Sequence, residues 1–126
     1  LYMQDNFKKP NPFSHDIVIG IDEALDQKVD GLNEHTSQMY EWLPWIGNGG
    51  EIDPKVPKDP AERKAWLKSR WMGRSMSDAQ KAGLAKWYTP EKAASFKYAE
   101  SFEITEYGAQ PTEADIRRLF PMLKNK

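Results

Sequence analysis

The hydrophobic positions along the chain predict one short strand that leads directly into a long helix. Residues 17–19 (IVI) are three adjacent β-branched apolar residues, which is typical of a strand buried on both faces. Across residues 22–43, apolar side chains recur every three or four positions, the repeat of a single helix face. We expect this helix to end at Leu43, because Pro44 disfavours helical geometry in the residue before it. A strand followed at once by a helix indicates a βα unit, which normally belongs to a parallel sheet.

The region after this helix is predicted to be irregular and then helical. Residues 47–60 are rich in glycine and proline, and a loop of this length is often functional or mobile. Asp59, followed by a proline and three residues later by Glu62, is a signal for the start of a helix. We expect the helix that begins there to reach about Tyr88, with a break near residues 73–77.

The two ends of the chain carry shorter predicted elements. Thr89 and Thr112 each stand where a short helix is expected to begin, and residues 101–107 (SFEITEY) alternate as an edge strand does. Residues 1–3 are a candidate strand end. Residues 5–14 contain two prolines, so we expect an extended loop there.

Composition narrows the class of protein. The 126 residues match one ordinary domain that can bury a core, and 18 basic against 19 acidic side chains give a net charge of −1. Without a basic stripe, neither nucleic acid nor an anionic membrane surface is expected as a partner. The absence of cysteine excludes disulfides, thiolate metal ligands and a cysteine nucleophile. No apolar run reaches the length needed to span a bilayer, and the compartment stays open, with the cytoplasm favoured.

The candidate catalytic chemistry within the chain is sparse. The only two histidines, His15 and His35, belong to no HxxxH, HExxH or similar pattern, so this chain alone is not expected to form a metal site. Ser37 and His35 cannot act as nucleophile and base, because residues two apart on a helix point in different directions. The sequence therefore predicts no catalytic residue and no metal ligand.

The aromatic residues at the end of the long helix are the best candidates for binding. Tyr40, Trp42 and Trp45 lie close together just before the glycine- and proline-rich loop. Exposed aromatic side chains at such a place could wall a pocket for a carbohydrate or another ligand. The alternative is that they belong to the core. His35, in the same helix, is interpreted as a packing or hydrogen-bonding residue rather than a base.

The order of segments resembles the C-terminal half of the PIG-L/LmbE-like deacetylases, a zinc-dependent family that removes N-acetyl groups from amino sugars. The resemblance covers nearly the whole chain. It is carried by the strand at residues 16–19, Asp22, Lys28, Leu32, His35-x-Ser37-Gln38, YEWLPW at residues 40–45, the helix of residues 62–71, KYAESFEITEYG at residues 97–108, and Leu119-Phe120-Pro121.

The resemblance implies a fold and a role for this chain. Residues 1–126 would be the C-terminal segment of one deacetylase domain, a helix-rich portion of a Rossmann-like parallel sheet that is incomplete within this chain. The family's zinc ligands and general base lie in an N-terminal His-Pro-Asp-Asp-type motif and a His-x-x-His-type motif, and neither motif occurs here. The zinc would therefore be held by other parts of the parent enzyme.

The resemblance also implies partners and binding residues. The expected partners are the N-terminal half of the same domain and a small N-acetylated substrate, and a homo-oligomer stays open. Tyr40, Trp42, Trp45 and His35 would contribute to the substrate wall. A second hypothesis, from a different class of protein, is a non-catalytic interaction module that binds a partner through its aromatic, Pro/Gly-rich loop.

Overall fold

The computed structural model of the chain describes residues 1–3, 12–72 and 74–123, with backbone alone for residues 71 and 72. The fold is mixed α/β and rich in helix, as the sequence predicts. The strands are β1 (Tyr2–Met3), β2 (Ile17–Gly20) and β3 (Ala99–Glu103). The α-helices are α1 (Leu25–Glu34), α2 (Leu43–Gly47), α3 (Pro60–Met72), α4 (Asp78–Trp87), α5 (Pro90–Ser95) and α6 (Glu113–Leu119). Single 3-10 turns span Asp22–Ala24 and Pro121–Leu123.

The sheet differs from the parallel arrangement that the βα pattern predicts. Its strand order is β1-β3-β2, and both pairings among the described strands are antiparallel. Ile17 pairs with Phe102 and Gly20 pairs with Ala99. A short apolar run indicates that a strand is buried. It does not indicate whether the neighbouring strand runs parallel or antiparallel to it. A Rossmann-like parallel sheet is not seen within the described residues.

The segment at residues 101–107 is also placed differently from the prediction. Its strand, β3, begins at Ala99 and lies in the centre of the three described strands rather than at an edge. Ser101 is buried in the middle of this strand with 2% of its surface exposed. Glu100 and Glu103 give β3 the polar character of an edge strand, so its sequence does not indicate its central position.

The chain divides into two compact units, the first formed by residues 1–22 and 76–126. Its core contains β2, and helix α4 packs closely on that strand: a Cβ atom added to Gly83 would lie 2.2 Å from Cγ2 of Val18. β2 is thus buried although it pairs on one edge only among the described strands. The fully or nearly buried residues of this core are Ile17, Val18, Ile19, Leu84, Trp87, Tyr88, Ile116 and Leu123.

Two aspartates fix the ends of β2 in this unit. Before the strand, the Asp16 carboxylate accepts a hydrogen bond from the backbone N–H of Ile104 at 2.8 Å, and the Asp16 carbonyl accepts one from Trp87 Nε1 at 2.8 Å. After the strand, the Asp22 carboxylate accepts from the backbone N–H groups of Lys97 at 3.0 Å and Tyr98 at 3.1 Å. Asp22 therefore fastens the segment that leads into β3.

The second unit, residues 23–75, is built on the contact between α1 and α3. Val29 of α1 and Leu67 of α3 are buried. Ion pairs join the two helices on the surface, Asp26 to Lys68 at 2.5 Å and Asp30 to Lys64. Exposed pairs of this kind add little stability, so the apolar contact holds the helices together.

The long helix predicted for residues 22–43 is interrupted. Helix α1 ends at Glu34, and after a break at His35 the chain continues through a π-helical turn (Gln38–Trp42) into α2. The prediction that Pro44 ends the helix is wrong. Pro44 lies in the first turn of α2, where a proline is tolerated because its missing N–H group needs no partner.

The predicted helix starts are confirmed. Asp59 accepts a hydrogen bond from the N–H of Ala61 at 2.9 Å, and the Thr89 and Thr112 side chains cap α5 and α6. The break expected near residues 73–77 separates α3 from α4, which Ser77 caps. The loop predicted for residues 5–14 lies mostly outside the described residues. Among those that are described, no helix is long and apolar enough to cross a membrane.

Candidate ligand cleft

A cleft of about 1350 Å³ opens within the second unit, lined by residues between Ser37 and Arg63. One side is the π-helical turn and α2. The opposite side is the loop at residues 52–58, followed by the first turn of α3. The glycine- and proline-rich loop, expected to be functional or mobile, is thus one wall of the cleft.

Two half-exposed tryptophans line the helical side. Trp42 exposes 53% of its surface and Trp45 exposes 47%, so these two predicted site residues are not core. They are three positions apart in a helical segment, and this spacing places side chains on the same face.

Trp45 is held in place by the turn that follows α2. The Gly50 N–H donates to the Trp45 carbonyl at 2.9 Å, and a Cβ atom added to Gly50 would lie 3.4 Å from Cζ2 of the indole. Gly50 has a φ of 89°, a left-handed conformation that favours glycine. The backbone of this turn therefore lies against the indole ring and leaves half of the Trp45 surface open.

Tyr40 lines the cleft from a different position, because only 5% of it is exposed. Its hydroxyl donates to Asn33 Oδ1 at 2.6 Å, and its ring lies 5.9 Å from the ring of Trp66. Burial raises the pKa of Tyr40, and the nearby Arg63 cation opposes that rise. Tyr40 is thus mainly a support that joins α1, the π-helical turn and α3, with one surface facing the cleft.

Arg63 is a cleft residue that the sequence analysis did not identify. Its Nε donates to the carbonyl of Pro57 at 3.0 Å, and its guanidinium carbon lies 5.3 Å from the centre of the Tyr40 ring. Both contacts fix the side chain where the loop meets α3. The sequence feature that could have identified Arg63 is the helix start at Asp59. It places Arg63 one turn into α3, beside the loop.

The charged groups around the cleft balance. Three acidic side chains line it, Glu41, Asp53 and Glu62, and three basic ones, Lys55, Lys58 and Arg63. The cleft therefore offers many hydrogen-bonding groups without a net field that would favour an anionic or a cationic ligand.

His35, the fourth predicted site residue, is exposed at the end of α1 and is not among the described residues that line the cleft. Its backbone N–H donates to the Leu32 carbonyl at 3.1 Å, and its own carbonyl accepts from Met39 at 2.8 Å. In this structure His35 shapes the break between α1 and the π-helical turn. Ser37, two residues later, does line the cleft.

The structure instead brings the other histidine next to a serine, in the first unit. His15 Nδ1 lies 2.9 Å from Ser101 Oγ, and the ring of Phe13 packs against the imidazole edge-on at 5.1 Å. Only 2% of Ser101 is exposed, which is too little for attack on a substrate. The pair joins the segment before β2 to the centre of β3 and has a structural role.

The described residues do not fit a zinc ion. Within residues 1–3, 12–72 and 74–123, no three His, Asp or Glu side chains come together as potential ligands. Comparison with protein-family models, curated proteins and solved structures finds no match to this chain.

Proposed function

We propose that this chain is the C-terminal segment of a zinc-dependent N-deacetylase that acts on an N-acetylated amino sugar or a related amide. The observation that carries the proposal is the cleft itself. Its aromatic side comes from residues 40–45 (YEWLPW), one of the segments in which the chain resembles the PIG-L/LmbE-like deacetylases.

The chemistry of the cleft suits a sugar. The faces of Trp42 and Trp45 are flat apolar surfaces that complement the C–H faces of a pyranose ring. Carboxylates and cations around them, such as Glu41, Glu62 and Arg63, complement sugar hydroxyls and amide groups. This chain would orient the substrate, and zinc, which polarises the amide and activates water, would be held by the N-terminal half of the domain.

The proposal also assigns a place to the sheet. The three described strands would form the antiparallel end of a larger, Rossmann-like parallel sheet to which the N-terminal half contributes. Mixed sheets of this kind, with antiparallel strands beside parallel ones, are common in α/β proteins.

The test requires the complete protein that contains this chain. It should release acetate from an N-acetylated amino sugar, and a chelator should abolish the activity. Trp42→Ala and Trp45→Ala should each lower kcat/KM by roughly 5- to 150-fold, the equivalent of about 1–3 kcal/mol for one large side chain. If both variants melt early but turn over substrate normally per folded molecule, the tryptophans do not belong to a substrate wall.

One observation favours the second candidate, a non-catalytic interaction module. Ile52, in the loop wall of the cleft, exposes 88% of its surface and lines the cleft together with the half-exposed Trp42 and Trp45, and exposed apolar side chains grouped in this way mark contact sites. Ile52→Ser separates the candidates. It should abolish capture of a protein partner if the loop is a docking surface, and raise KM for the N-acetylated substrate without affecting any protein contact if the cleft binds a sugar.

A further inference from the structure

We infer that the cleft binds an uncharged glycan chain and contacts at least two consecutive sugar rings. The N-acetylated class of sugar rests on the proposed function, whereas the number of rings and the absence of charge rest on the cleft alone.

The size of the cleft exceeds what one sugar ring needs. Its volume of about 1350 Å³ lies above the roughly 300–1,000 Å³ of ordinary small-molecule pockets. A single ring would leave much of the aromatic and polar surface uncovered. A ligand that extends along the cleft would cover it.

The two tryptophans supply two platforms rather than one. Trp42 and Trp45 both line the cleft and both expose about half of their surface, at 53% and 47%. Side chains three apart on a helix have Cβ atoms about 5–6 Å apart, a spacing comparable to the length of one ring in a glycan chain. Adjacent rings can therefore stack on adjacent indoles, and the second indole is held beside Gly50, whose added Cβ atom would lie 3.4 Å from its Cζ2.

The balance of acidic and basic side chains in the lining distinguishes between the kinds of polymer that could fill the cleft. Acidic and basic side chains are equal in number among the lining residues, so a polyanion such as a nucleic acid or a phosphate-linked polymer gains no net attraction. A proline-rich peptide also binds aromatic grooves, but its backbone offers carbonyl acceptors and few N–H donors, so the lining carboxylates would lack partners. Each hydroxyl of a neutral glycan can both donate to the lining carboxylates and accept from the lining cations. The eight polar side chains of this cleft are Ser37, Gln38, Glu41, Asp53, Lys55, Lys58, Glu62 and Arg63.

The experiment compares saccharides of increasing ring number, measured as binding to the complete protein that contains this chain by calorimetry and tryptophan fluorescence, with a chelator present so that no substrate is turned over. The probes are N-acetylglucosamine and its β-linked dimer and tetramer. We expect the dimer to bind at least tenfold more tightly than the monomer, and Trp42→Ala and Trp45→Ala each to weaken the dimer by about tenfold.

A matched control is available on the same helix. Ile46 is exposed to 50%, close to the value for Trp45, but is not among the described residues that line the cleft. Ile46→Ala should leave dimer affinity unchanged, and circular dichroism should confirm that all three variants keep the helical content of the parent chain.

Several binding results would overturn the inference. They can be distinguished from results that would overturn the proposed deacetylase function. Equal affinity for monomer and tetramer, no binding of any saccharide, or preferential binding of a proline-rich peptide or an anionic polymer would each refute it. The deacetylase assay on the complete protein is independent of these results. A complete protein that cleaves no N-acetyl group, combined with a clear ring-number dependence, would remove the proposed function and leave the glycan cleft in place.

Discussion

Replacement of Gly83 by alanine tests whether helix α4 packs on β2 as closely as the structure indicates. A Cβ atom at this position would lie 2.2 Å from Cγ2 of Val18 and 2.9 Å from its Cβ. Rotation about χ1 of Val18 can move the methyl group, but it cannot move the Cβ atom. The helix would therefore have to shift away from a strand whose residues Ile17 and Val18 have no exposed surface.

The magnitude follows from two opposing effects. Alanine in a helix interior is favoured over glycine by about 1 kcal/mol. Overpacking of a close-packed core costs about 1–3 kcal/mol, and here the contact involves a Cβ atom next to the backbone. With the overpacking cost at the upper end of that range, about 3 kcal/mol, we expect a net loss of about 2 kcal/mol, which for a chain of this length is a fall of roughly 6–10 °C in Tm.

Gly31→Ala is the matched control for this substitution. Gly31 lies in the interior of α1, is exposed, and has no atom within 4 Å of an added Cβ. It should gain about 0.4–1 kcal/mol, so the two alanine variants should move in opposite directions in the same thermal and urea melts. The loss at Gly83 should also be smaller in a Val18→Ala background, because the nearest clashing atom is then absent. A Gly83→Ala variant as stable as the parent would refute the close packing of α4 on β2.

Three further predictions concern pH, local anchoring and metal binding. Burial raises the pKa of Tyr40 and of Tyr88, so the stability that depends on their protonation is complete below about pH 10 and is lost as pH rises through the folded pKa. The tyrosinate absorbance of these two residues should appear at a higher pH than that of an exposed tyrosine. The corresponding phenylalanine variants should remove this high-pH part of the titration. Asp22→Ala should destabilise the chain by about 1–3 kcal/mol by leaving the N–H groups before β3 without an acceptor, whereas Glu23→Ala should be neutral in the same urea titration. Calorimetry should find zinc binding no tighter than about micromolar, since structural sites converge about four ligands, and a defined stoichiometric site would contradict this.

The parts of the fold that depend on local chemistry could be predicted from the sequence. Capping side chains such as Thr89 and Thr112 satisfy N–H groups two or three residues away, so their effect is visible in a short window. The partners of β2 could not be predicted in the same way. Ile17 meets Phe102 across 85 positions, and nothing in either segment states whether the strands run parallel or antiparallel.

The candidate site was predictable on one side only. Tyr40, Trp42 and Trp45 share a short helical segment, so their proximity follows from spacing. The opposite wall depends on how residues 52–58 fold back, and that path is set by non-local contacts such as the bond from Arg63 to the carbonyl of Pro57. The adjacent glycines at positions 49 and 50 were the local signal for a turn.

The feature that determines the direction of Trp45 is the irregularity that the apolar pattern did not reveal. In the π-helical turn, the Leu43 N–H donates to the carbonyl of Gln38, five residues back rather than four. Such a turn accommodates one extra residue, and each residue of a helix rotates the face by about 100°. After the turn, Pro44 is buried, while Trp45 is half exposed and lines the cleft. A regular helix through residues 38–47 would still hold Trp42 and Trp45 on one face, because they are three positions apart, so the extra residue of the turn sets the direction of that face relative to α1 and not the spacing of the two tryptophans.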